Sequence, residues 1–109
     1  MEKKINIPEN IRFCLFGDPQ LTVVSLRLTQ YADGNFCVLG VYPDGETERI
    51  SVNIPNEAWQ LEEGEFFLKN WSENEELAQK LMDSGIVRLT GGAVQTGQVR
   101  APIAILAIE

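Results

Sequence analysis

The chain has 109 residues, with 16 Asp and Glu against 9 Lys and Arg, no histidine, and a formal net charge of −7. That length fits one domain, residues 1–109, which buries roughly 65% of the surface its unfolded chain exposes and needs neither disulfides nor metals to fold. The acidic balance opposes binding to nucleic acid or to an anionic membrane, where cations must meet phosphate, and favours solubility or a basic protein partner.

Ile11 to Phe16 reads as a first strand, ended by the turn Gly17-Asp18-Pro19. Leu21 to Tyr31 reads as a long second strand, with Val24, Leu26 and Leu28 on one face and Ser25, Arg27 and Thr29 on the other. Ala32-Asp33-Gly34-Asn35 makes a tight turn into Phe36 to Tyr42, which is apolar on both faces and therefore central. Pro43-Asp44-Gly45 has the chemistry of a second turn, since proline presets the first angle and glycine takes the left-handed position. Thr47 to Ile54 returns with Ile50, Val52 and Ile54 inward, completing an antiparallel meander.

Pro55 stops that strand, and an acidic connection from Glu57 to Gly64 carries Trp59 and Leu61. Glu65 to Asn70 reads as a short strand. Ser72 then opens a helix, with Ser72 and Glu75 at capping-box spacing and Glu73, Glu75 and Glu76 at the positive end of the helix dipole. Leu77, Leu81 and Met82, with Ala78 beside them, form its apolar stripe, and Gly85 is a natural stop. Ile86 to Leu89 begins a strand, Thr90-Gly91-Gly92 and Thr96-Gly97-Gln98 read as flexible turns, and Ala101 to Ile108 reads as a buried closing strand. The expected fold is α+β: a mainly antiparallel, twisted sheet of five to seven strands with one helix packed on one face. The helix stripe is expected to cover a sheet face that includes Val24, Leu26, Ile50 and Val52.

Chemistry-bearing motifs are scarce. The glycine-rich segment from Gly91 to Gly97 is followed by Gln98 and a strand, where a phosphate loop needs a lysine leading into a helix. No histidine is present to activate a serine, threonine or cysteine. No catalytic, cofactor-binding or metal-ligating residue is assigned, and the chain is expected not to be an enzyme. Cys14 and Cys37, at non-motif spacing, suggest reduced, partly buried thiols, although a disulfide between neighbouring strands stays open. No run reaches the roughly 20 apolar residues that span a bilayer, so the expected location is the cytoplasm.

The acids crowd one window. Residues 57 to 83 hold eight carboxylates against Lys69 and Lys80, most of the negative excess of the whole chain. The bland interpretation is a solvated face with favourable charges at a helix start. The functional one is an acidic patch that meets Arg and Lys on a nucleic-acid-binding protein, speeding association in a salt-sensitive way. Trp59 is the expected anchor, because tryptophan is enriched at interface hot spots. The candidate partner-binding residues are therefore Trp59, Glu62, Glu63, Glu65, Glu73, Glu75 and Glu76.

The meander contains Tyr31-x-x-Gly34-Asn35, then Tyr42-x-Asp44-Gly45-Glu46, then Ser51-Val52-Asn53-Ile54. Over roughly residues 22 to 92 this resembles a family of uncharacterised small acidic proteins carried by phages, conjugative plasmids and integrative elements of bacteria. The resemblance implies a mobile-element product in the cytoplasm of a bacterial host. By association, it implies an inhibitor of host defence of the anti-CRISPR or anti-restriction type. The expected partner is a protein with a basic surface, with no cofactor, no direct nucleic acid and no membrane. The alternative is a self-associating phage or plasmid accessory protein, its bare sheet edges paired in a homodimer.

Overall fold

The computed structural model describes residues 2–108. Ten strands and one α-helix follow the chain: β1 (Lys3–Asn6), β2 (Cys14–Leu15), β3 (Asp18–Thr22), β4 (Ser25–Gln30), β5 (Phe36–Val41), β6 (Thr47–Arg49), β7 (Ser51–Val52), β8 (Glu65–Leu68), α1 (Glu75–Asp83), β9 (Val87–Thr96) and β10 (Val99–Leu106). The class is α+β and every strand pair is antiparallel. The expected single sheet of five to seven strands is corrected: there are two four-stranded sheets, ordered β1-β4-β5-β6 and β7-β8-β10-β9, and a two-stranded ribbon, β2-β3.

The split has a definite cause at Ile50. Its N–H donates to the Val38 carbonyl of the first sheet at 3.0 Å, while its carbonyl accepts from the Lys69 N–H, next to β8, at 2.9 Å. One strand thus changes sheets at a corner. An uninterrupted ladder would give Val38 N–H the Ile50 carbonyl. Here it donates instead to Ser51 Oγ at 3.0 Å, and Ser51 Oγ also bonds the Tyr31 hydroxyl at 2.7 Å. The Arg49 carbonyl accepts from Asn74 Nδ2. Ser51 and Asn74 are two of the few buried polar side chains described, and both serve this corner.

A second switch corrects the expected strand from Leu21 to Tyr31. Val23 N–H donates to Phe13 O at 3.1 Å, but Val24 N–H donates to Val41 O at 2.9 Å. The chain passes there from ribbon to sheet, and the alternation slips by one residue. Val23 takes the fully buried place, while Val24 is only half-buried. The expected first strand shrinks likewise: Glu9–Ile11 is a 3-10 turn and only Cys14–Leu15 pairs. Strand β1, absent from the sequence expectation, places Ile5 in the core behind two exposed lysines, and Ile7 follows it there just past the strand's end.

The main core joins Ile5, Ile7, Leu26, Val38 and Ile50 to Phe66, Leu68, Leu77, Ala78, Leu81 and Ala104, with Met82 packed at its margin. The helix stripe therefore shares one core with Leu26 and Ile50. Val52 belongs to a second cluster with Phe67, Val94, Ala101 and Ile103, which Ile54, Leu61 and Trp71 border, and Val24 lies in neither cluster. Strand β8 is buried on both faces, which explains its unbroken Phe66-Phe67-Leu68 run.

The capping box is also corrected. Ser72 has φ +55° and opens a 3-10 turn, Ser72–Asn74, and Asn74 stands at the helix N-cap without a side-chain cap bond. The stop at Gly85 is as expected. Ile86 N–H bonds Leu81 O and Gly85 N–H bonds Met82 O, both at 3.1 Å, with Gly85 in the left-handed region.

Thr90-Gly91-Gly92 is not a turn. It lies within β9, where the register to β10 shifts between Pro102 and Ala104. Residues 90 to 92 bulge opposite Ile103, and a Cβ on Gly92 would stand 3.1 Å from Ile103 Cδ1. The bulge also lets Pro102, which has no N–H to offer, sit inside a central strand. The turns around Gly34 and Gly45 form as expected, with Gly34 N–H on Tyr31 O at 2.8 Å and Gly45 N–H on Tyr42 O at 2.9 Å.

Candidate partner-binding surface

The seven candidate residues fall into two groups. Trp59 lies in the 3-10 segment Pro55–Gln60 and is 78% exposed, the most exposed large apolar side chain described. Downstream of it, Glu62 and Glu63 are exposed, and Glu65 is half-buried. The Glu65 carboxylate folds back to accept the Glu62 N–H at 2.9 Å, so part of its role is to fix its own turn. Glu62, Glu63 and Glu65 edge a broad hollow of about 830 Å³ whose apolar lining includes Leu28, Phe36 and Leu61.

Glu73, Glu75 and Glu76 form the second group, Glu73 on the 3-10 turn before the helix and the other two on its first turn. With Ser72, Gln79, Lys80 and Asp83 they line a hollow of about 480 Å³, and Phe16 closes it from the β2–β3 ribbon. The two hollows share no lining residue. The acidic window is thus two patches rather than one.

Phe16 escaped the sequence expectation, which placed it at the end of a strand. It is 70% exposed, with φ +54°. A bulky residue in the left-handed region is uncommon. Its N–H is held by Glu76 Oε2 at 2.9 Å, so a helix carboxylate pins the turn that presents the ring. Phe16 and Ser72 are the two non-glycine residues with positive φ among those described, and both line this hollow. The available sequence signal was the Gly-Asp-Pro turn directly after Phe16.

Three of the four carboxylates at this hollow have partners, Glu76 in the Phe16 N–H and the other two in neighbouring side chains. Lys69 Nζ sits 2.9 Å from Glu73 Oε1, and this hydrogen bond holds the Glu73 carboxyl below its ordinary range. Gln79 Nε2 donates to Asp83 Oδ1 at 2.9 Å. Exposed pairs of this kind contribute little to stability, since both ends are hydrated.

No protein-family model, curated protein or solved structure matches this chain.

Elsewhere the most perturbed group is Tyr31. Burial pushes its hydroxyl up to about 12, against the opposing hydrogen bond from Ser51. Arg49 lies over its ring at 5.9 Å, within cation–π range. Cys14 and Cys37 are free thiols, half-buried and buried. Among the described residues no group of three or more Cys, Asp or Glu is placed to hold a metal ion, and no helix is long and apolar enough to cross a membrane.

Proposed function

We propose that this protein is a non-enzymatic binding protein that docks its acidic helix face on a basic surface of another protein, with Phe16 as the apolar anchor. The observation that carries this reading is a 70% exposed phenylalanine, held out by Glu76, beside Glu73, Glu75 and Asp83. A desolvated aromatic supplies affinity at an interface, and the surrounding carboxylates supply attraction to Arg and Lys and a fast encounter. Trp59 and its neighbouring acids form a second, separate contact. The resemblance of residues 22 to 92 to mobile-element proteins adds the biological setting. The partner is then a host-defence protein or complex of the CRISPR or restriction type, inhibited when its basic nucleic-acid surface is occupied.

The test separates anchor from fold. Phe16→Asn keeps a residue that tolerates the left-handed region, removes the ring and leaves stability unchanged or higher. In nuclease and co-elution assays with candidate effector complexes, this variant and the double reversal Glu73→Lys/Glu75→Lys are expected to lose inhibition. Full inhibition by both variants would refute the proposal. Glu76 is kept in these variants because it also supports the ribbon turn.

A second reading rests on β9. This ten-residue edge strand has one side unpaired among the described residues, and Leu89 on it is 44% exposed. Two copies joined along β9 would form a homodimer with a continuous sheet. Light scattering at micromolar concentration distinguishes this from a monomer, and Leu89→Lys is expected to dissolve such a dimer.

A further inference from the structure

The chain gathers part of its scarce positive charge in one place. Of 9 Lys and Arg, three (Lys3, Lys4 and Arg27) line a hollow of about 390 Å³, together with Glu2, Ser25, Val41 and Gly45. The register explains the assembly. Lys4 lies directly across from Arg27, Ser25 lies two residues before Arg27 and so shares its face, and Val41 pairs with Ser25 from the other side. Gly45 comes from the turn joining β5 to β6. Its neighbour Asp44 directs a carboxylate oxygen back onto the Glu46 N–H at 2.9 Å.

Ser25 is the informative member. It is 1% exposed, and its Oγ has no hydrogen-bond partner among the described residues. The other buried polar side chains, Ser51 and Asn74, are both bonded. An orphaned buried hydroxyl is rare and calls for a reason. Here it lines a hollow whose cations on its own face are the Lys4 ammonium and the Arg27 guanidinium, both donors, with Glu2 as the one acidic side chain. Glu2 Oε1 stands 3.8 Å from Arg27 Nε, too far for a hydrogen bond, on an exposed pair that little energy holds.

We propose that this hollow is a binding site for a small phosphomonoester, with Lys4 and Arg27 donating to the phosphate, the organic group resting on Val41, and the Ser25 hydroxyl, covered in the free protein, joining the donors once the side chains above it turn onto the ligand. The donors come from two strands and from groups of different length, so they do not share a plane. That arrangement suits the three terminal oxygens of a tetrahedral phosphate better than the two coplanar oxygens of a carboxylate. The volume lies toward the lower end of the roughly 300–1,000 Å³ usual for small-molecule sites. Glu2 stands beside the guanidinium in the free protein and moves aside when the ligand enters. The site is separate from the helix patch and stands or falls independently of it.

Calorimetric titration of the full chain at low salt tests this, with inorganic phosphate, phenyl phosphate and benzoate as probes. Saturable binding of phosphate, tighter binding of phenyl phosphate and none of benzoate are expected. Ser25→Ala removes an orphaned hydroxyl, so it folds at least as well as the parent while binding phosphate roughly tenfold more weakly, the order of one hydrogen bond to a charged group. Arg27→Gln abolishes binding, Glu2→Gln strengthens it, and Lys80→Gln on the helix leaves it unchanged. The site is refuted if phosphate fails to saturate, if benzoate binds equally, if Ser25→Ala binds like the parent, or if Lys80→Gln weakens binding as much as Arg27→Gln.

Discussion

Replacing Ser51 by alanine probes the corner on which both sheets depend. Ser51 Oγ accepts the Val38 N–H and bonds the Tyr31 hydroxyl, and both Ser51 and Val38 are 0% exposed. With the oxygen gone, the Val38 N–H is left buried and unpaired, which costs about 1–3 kcal/mol, and the lost bond to Tyr31 adds about 1 kcal/mol. The expected loss for Ser51→Ala is therefore about 2–4 kcal/mol, a large share of the roughly 5–15 kcal/mol that holds a small domain folded. Tyr31→Phe removes the same side-chain bond but leaves Ser51 to serve Val38, so its expected loss is only about 0.5–1.5 kcal/mol. Urea unfolding followed by tryptophan fluorescence measures both, with unchanged m-values showing that the denatured state is not altered. The double variant is expected to cost less than the sum of the two, because one bond is counted in each single change. If Ser51→Ala costs no more than Tyr31→Phe, the satisfied amide is not what holds the corner, and the account of the sheet switch fails.

Further outcomes are expected. Burial raises the Tyr31 hydroxyl to about 12, so the folded protein keeps a proton that the unfolded chain releases near 10. This contribution is present below pH 10 and is lost as pH rises towards 12, and Tyr31→Phe flattens that part of the stability profile. Leu77→Ala, at a side chain 1% exposed in the main core, lowers unfolding free energy by about 2–5 kcal/mol in the same urea assay. Trp59→Ala, at a side chain 78% exposed, changes stability by less than about 0.5 kcal/mol, so any loss of partner binding in that variant is read directly as an interface effect.

The sequence disclosed the parts that local chemistry governs. The Gly34 and Gly45 turns, the Gly85 stop and the stripe of Leu77, Ala78 and Leu81 were legible because a left-handed angle or a helical period leaves a mark on a few adjacent residues. The sheet switches were not. Nothing near Val23-Val24 or Ile50 signals that successive amides address different neighbours, because those neighbours lie far away in the chain. The slip that moves Val23 into the core in place of Val24 follows from that. Gly91 and Gly92 resembled a turn because a bulge and a turn ask for the same residues. The acidic window was visible as composition, but its division into two patches, and the arrival of Phe16 beside one of them, depend on how the ribbon folds against the helix. Ser25 looked like an outward-facing strand residue, and its burial without a partner has no local signature.

The order in which the two sheets arise along the chain bears on folding. Every strand of the first sheet precedes Ile50, yet the inner face of that sheet is covered by Phe66, Leu77, Leu81 and Ala104. The first sheet therefore cannot bury that face with its own residues: a chain that extends no further than Ile50 leaves its apolar underside open to water. Closure of the core waits for the segments that supply Phe66, Leu77, Leu81 and Ala104, so the first sheet and its cover are expected to fold as one cooperative unit.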